Sequence, residues 1–174
     1  MSPESKSHLD AFQSYNPIPW NMIPDLGLYM DQVITLISRM YEPLYGPDPD
    51  RYLSSSMINN YVKSKLIPRP ASKKYGRDQI ALLCMIVALK QTASMEDIRS
   101  MLSTENGLTV EEMYTLFCSG QQKVIQSMLA PDDVLDSGLP PAMAMALVSS
   151  GYRAGCEMLL RAENNPPTSR DARK

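Results

Sequence analysis

Residues 80–89, IALLCMIVAL, are apolar without a break, and Lys90 ends the run. Ten residues are too few to cross a bilayer, which takes about 20. Within the wider segment 77–91, Ile80, Leu83, Cys84, Val87 and Ala88 recur at the spacing of one helix face. The other faces carry apolar residues too. A helix of this kind has to be enclosed by other elements. The chain is therefore expected to fold as an all-α protein with this helix at its centre.

Composition agrees. Two Phe and one Trp stand against thirteen Met, whereas sheets draw on aromatic and β-branched residues. With 174 residues, 44% of them hydrophobic, the chain has room for one good-sized core, or for a small domain and an appendage.

About six helices are expected. The first opens at Asp25 or Gly27, carries Met30, Val33, Ile34, Ile37, Met40, Tyr41 and Leu44 on one face, and ends at Pro43 and the GPDPD that follows. Ser54, Ser55 or Ser56 caps a short helix reaching Ser64, which Pro68 and Pro70 stop. After the central helix, Ser94 with Asp97 opens another, with Met95, Ile98, Met101 and Leu102 inward and Asn106-Gly107 at its end. Thr109 caps a helix to about 129, with Glu111 and Glu112 in its first turn. Pro140 and Pro141 start the last, which reaches about 163.

The expected organisation is a flexible, Pro-rich arm over 1–23, a central helical domain over 24–105, a C-terminal helical pair over 106–163 and a disordered tail over 164–174. Trp20 in the arm either packs back on the core or meets a partner.

Charge is unevenly placed. The window 51–77 holds Arg51, Lys63, Lys65, Arg69, Lys73, Lys74 and Arg77 and no acid. The whole chain has 17 basic and 19 acidic residues, so everything outside the window carries 10 and 19. A run of like charge is either a solvated face or a surface for an anionic partner. On the helix 54–64, Ile58, Tyr61 and Val62 share the face that would dock on the core. Ser56, Asn59, Asn60 and Lys63 share the opposite one. Asn pairs with adenine in a major groove, and Ser and Lys reach base edges or phosphates. Ser55, Lys65 and Arg69 flank this set, while Lys73, Lys74 and Arg77 are placed to hold phosphates and set register.

The segments SSSMINNYVKSKLIP, KKYGRDQIALLCMI and SMEDIRSML, within 54–102, resemble the DNA-binding half of MerR-type transcription regulators. More closely, LYMDQVITLI, MINNYVKSKLIP, KKY and ALKQTASMEDI look like an uncharacterised bacterial family of helix-turn-helix-like proteins. The resemblance implies a MerR-like helix-turn-helix and binding to double-stranded DNA. Three features depart from the pattern. GPDPD occupies the place of the first short helix, and the helix ending near Leu44 is its substitute. Only Ala71 and Ser72 separate Pro70 from Lys73, which shortens the wing. Asn59 stands where the pattern favours Arg, and Lys65 where it favours Gly.

The function expected is that of a DNA-binding transcription regulator. The alternative is a protein-interaction or adaptor module on the same scaffold, supported by the missing first helix, the short wing and the acidic remainder. A homodimer is expected, with Gly151, Gly155 and Leu159 of the last helix as its seam; close packing within one chain is the other reading of those glycines.

No enzyme is expected. The single histidine, His8, lies in the arm, and no Gly-rich phosphate loop or nucleophile elbow is present. Asp132-Asp133 and Glu111-Glu112 are sequence neighbours that point apart. Cys84, Cys118 and Cys156 are far apart in apolar patterns and read as buried, reduced thiols. Met143 and Met145 read as core. No metal or cofactor is expected. The N-terminus MSPESKSHLDAF lacks a basic and then apolar signal, so a soluble, cytoplasmic protein with no membrane partner is expected.

Overall fold

The computed structural model describes residues 15–103 and 107–127, together with Val148, Ser149, Tyr152 and Arg153. Five α-helices are named among them: α1 (Met30–Tyr45), α2 (Ser55–Lys63), α3 (Arg77–Leu89), α4 (Met95–Met101) and α5 (Val110–Ser127). Two 3-10 turns, Trp20–Met22 and Pro49–Arg51, join them. The architecture is all-α, and no described helix is long and apolar enough to cross a membrane.

The centre is α3. All eight residues from Ile80 to Val87 are buried, as an apolar run with no polar face requires. The amphipathic helices close round it. Helix α1 buries Val33, Ile37, Met40 and Tyr41, and α2 buries Ile58 and Tyr61. Helix α4 buries Ile98, and α5 buries Met113, Tyr114 and Ile125. Tyr41 donates its hydroxyl to the Cys84 carbonyl (2.8 Å). The phenol thus enters the core with its polar atom satisfied.

Local signals set most boundaries. Ser54 accepts from the Met57 amide at the start of α2. Ser94 and Asp97 exchange hydrogen bonds at α4, and Thr109 and Glu112 do so at α5. The Thr109 amide and hydroxyl both donate to Glu112 Oε2 and hold that carboxyl below its usual range.

Helix α1 starts later than expected, at Met30. Leu28 exchanges two backbone hydrogen bonds with Tyr75 (3.0 and 2.8 Å), which holds residue 28 extended. Its far end runs two residues past Pro43 and stops at Gly46, whose φ is +86°.

The arm also differs from expectation. Residues 1–14 are outside the described range, but from Tyr15 the chain is packed: Tyr15 and Ile23 are 6% and 1% exposed. Tyr114 donates to the Ile18 carbonyl (2.8 Å) and Gln122 to the Asn16 side chain (2.8 Å), so this strap lies along α5. Trp20 packs on Tyr114, with ring centroids 6.2 Å apart. It belongs to the chain's own core.

The chain divides into two units, 1–130 and 131–174. Helix α5 therefore belongs with the helices before it, because its buried side chains complete the cover of α3. The division expected at residue 106 does not fall there. The expected seam residues Gly151, Gly155 and Leu159 lie outside the described residues, as do Cys156, Met143 and Met145.

Candidate nucleic-acid interface

Helix α2 turns Ile58 and Tyr61 into the core, which leaves Ser55, Ser56, Asn59, Asn60 and Lys63 exposed. The expected outward face thus exists as one solvent-facing row without an acid. Ser56 is already engaged by Ser54 (Oγ to Oγ, 3.0 Å).

The exit of α2 is a Schellman turn. The Leu66 amide donates to the Tyr61 carbonyl (2.9 Å) and the Lys65 amide to the Val62 carbonyl (3.1 Å). That motif needs a left-handed residue, and Lys65 supplies it with φ +59°. Leu66 and Tyr61 are both buried members of the core. The position at which the resembled pattern has Gly is thus a glycine-type backbone site carrying an exposed lysine.

The segment expected to be a wing, residues 71–74 (called the wing below), is a single tight turn. The Lys74 amide donates to the Ala71 carbonyl (2.9 Å), and the two central residues, Ser72 and Lys73, have φ of +50° and +63°. Two consecutive positive values mark a primed hairpin turn, which ordinarily takes Asn-Gly. Tyr75, 2% exposed, anchors the turn through its bridge to Leu28. Gln79 ties the base of the wing to the exit of α2. Its side chain accepts from the Gly76 amide and donates to the Pro68 carbonyl (2.6 and 3.2 Å).

An open groove of roughly 460 Å³ lies between wing and helix, lined by Asn59 of α2, Lys73 and Tyr75 of the wing, Pro70, and Tyr29 to Asp31. Asp31, in the first turn of α1, is the acid in this lining. Lys74 lies over the Tyr29 ring (5.3 Å to the centroid). Residues 59 and 73 therefore line one groove.

The other basic residues separate. Lys63, Lys65 and Arg69 are exposed around the exit of α2, and Arg51 is exposed on the second 3-10 turn. Arg77 takes a different place. Its Nε donates to the Ile23 carbonyl (2.9 Å), its guanidinium lies 5.7 Å from the Trp20 ring centre, and it pairs with Asp25 (3.8 Å). This makes it a clamp on the N-terminal strap and not one more free cation beside the wing. Asn60 lines a second cleft, on the other flank of α2, together with Lys90 and Arg99. Arg99, outside the basic window, donates to the Ser64 carbonyl (2.6 Å) at the end of α2. Sequence reading missed it, since only the placement of α4 beside α2 brings it there.

Among the described residues no group of three His, Cys, Asp or Glu side chains is placed to hold a metal ion. Cys84 is fully buried, and burial pushes its thiol up to about 12, so it is a protonated packing residue at neutral pH.

No curated protein and no solved structure matches the chain. One protein family does, over residues 18–117, from the packed strap through every described helix into α5. The chain belongs to that family, the domain of unknown function DUF1836.

Proposed function

We propose that this protein is a DNA-binding regulator that reads duplex DNA with α2, as the recognition helix of a MerR-like helix-turn-helix with a one-turn wing. Ser56, Asn59, Asn60 and Lys63 face the major groove, and Lys73 and Lys74 hold a flanking phosphate run. The observation that carries the reading is the groove shared by Asn59 and Lys73, on a surface where lysine fills two of the three left-handed non-glycine positions, Lys65 and Lys73, and Ser72 the third. A left-handed non-glycine residue costs about 1–2 kcal/mol. Lysine at two such sites is a cost to stability that a contact to an anion explains. A nine-residue helix reaches few phosphates, so the reading includes a two-fold dimer that doubles the contact.

The test is titration of labelled duplex, drawn from a random-sequence selection, at several salt concentrations. Five exposed cations on each protomer (Lys63, Lys65, Arg69, Lys73, Lys74) predict that log K falls with log salt at a slope of about −4 to −5 per bound protomer. The adaptor reading is favoured by Met22 and Leu26, 68% and 77% exposed beside the strap. It gains if micromolar protein fails to bind duplex at about 50 mM salt.

A further inference from the structure

The second cleft, about 770 Å³, opens between the end of α2 and the α3–α4 elbow. This is within the size range of small-molecule pockets, about 300–1,000 Å³. Its character is set by Lys90. That side chain is half-buried, and among the described residues its hydrogen-bond partner is the Met57 sulfur (3.2 Å). A thioether is a weak acceptor and no counter-ion. Burial lowers the Lys90 pKa, with no opposing contribution from a nearby acid. A desolvated cation with so poor a partner favours an anion beside it.

Two further features narrow the class. Arg99 lines the same cleft and adds a second cation, while Glu96 adds one carboxylate. The lining therefore carries a net single positive charge, which one carboxylate neutralises; a dianion would leave a second negative charge uncompensated beside Glu96. Met57, Met95 and the Tyr61 ring supply an apolar wall, and Met95 is 40% exposed on a helix whose pattern called for its burial. Methionine walls adapt to varied apolar shapes.

We propose that this cleft binds an amphipathic monoanion, a small carboxylic acid whose carboxylate sits between Lys90 and Arg99 and whose apolar body lies on Met57 and Met95. The cleft shares no lining residue with the Asn59–Lys73 groove, although Asn60 at its edge also belongs to the proposed DNA-facing row, and the binding test is made without DNA.

The experiment is calorimetric titration of the full chain with octanoate, octanamide and inorganic phosphate in parallel. The amide keeps the apolar body without the charge; phosphate keeps the charge without the body. Octanoate is expected to bind at a single site and the other two far more weakly. Lys90→Met removes the ammonium and keeps an apolar stem, and should weaken octanoate by about tenfold or more, the loss of one charge-assisted hydrogen bond. Lys73→Met, outside the cleft, should leave octanoate binding unchanged, and circular dichroism checks that both variants fold. In the unmodified protein, the methyl resonances of Met57 and Met95 should shift on addition of octanoate. Equal binding of octanoate and octanamide, equal affinity in folded Lys90→Met, or methyl shifts that bypass Met57 and Met95 would each overturn the proposal.

Discussion

Gly27 lies so close to Lys74 that a Cβ at position 27 would stand 2.8 Å from the Lys74 Cβ. The contact sits at the Leu28–Tyr75 bridge, which pins the wing to the start of α1. The Lys74 Cβ is fixed by the backbone and cannot swing aside. Gly27→Ala should therefore cost about 1–3 kcal/mol, the range for overpacking a tight site. Urea denaturation checks this. A loss under about 0.5 kcal/mol, the level of an ordinary surface change, means the two segments separate freely.

Lys65→Gly should stabilise the fold and weaken DNA binding together. Glycine removes a left-handed strain of about 1–2 kcal/mol and costs about 0.5–1 kcal/mol in chain entropy, so a net gain of roughly 0.5–1 kcal/mol is expected. The lost cation should make the salt slope shallower by about 1. Denaturation midpoint and duplex titration are measured on the same preparation. A more stable variant with unchanged affinity and slope places Lys65 off the DNA.

Asn59→Ala and Lys73→Ala should fail in different ways, although both side chains line one groove. The first should relax preference at a single base pair by about 1–3 kcal/mol. The second should weaken all sequences alike and reduce the salt slope by about 1. The check is competition between the selected duplex and single-substitution variants. If both mutants lose the same on selected and random DNA, α2 does not read bases through Asn59.

Arg77→Met should loosen the strap without touching the salt slope. It removes a charged hydrogen bond to Ile23 and the stacking on Trp20, together roughly 1–2 kcal/mol at this partly exposed site. Trp20 is the chain's one tryptophan, so its emission should shift to the red. A salt slope shallower by a full phosphate contact in Arg77→Met would instead assign Arg77 to DNA.

Alkaline pH should unfold the protein in one step. Burial raises Tyr41, Tyr114 and Tyr15 above the usual 10.0, Tyr45 to about 12, and Cys84 from 9.0 to about 12. Each group is neutral in the fold and releases its proton more readily when unfolded. Stability is thus fully present below pH 9 and falls as pH rises from 9 toward 12. Phenolate absorbance and far-ultraviolet circular dichroism should change together. Phenols that ionise near pH 10 with the helices intact would contradict their burial.

How the site reads from sequence depends on the residue. The outward row Ser56, Asn59, Asn60 and Lys63 was legible because a helix of known phase must turn that face away from Ile58 and Tyr61. The 71–74 turn was not legible, since Ser72-Lys73 lacks the Asn-Gly that signals two positive φ values. The inward contacts of Arg77 and the place of Arg99 beside α2 were not legible, for one reason. An arginine reaches several ångströms and serves an interior carbonyl or a solvent anion with the same chemistry.

Sequence by itself determined what acts within one helical turn. The caps Ser54, Ser94–Asp97 and Thr109–Glu112, the inward faces, and the central place of α3 all follow from contacts three or four residues apart, or from an apolar run with no polar face. Tertiary structure decided what joins residues distant along the chain. It paired Leu28 with Tyr75 and so delayed α1, laid the 15–23 strap on α5, turned Arg77 inward, and brought Arg99 and the half-buried Lys90 beside α2. Those outcomes depend on which surfaces meet, and a surface is fixed only when all the helices enclosing α3 are packed at once.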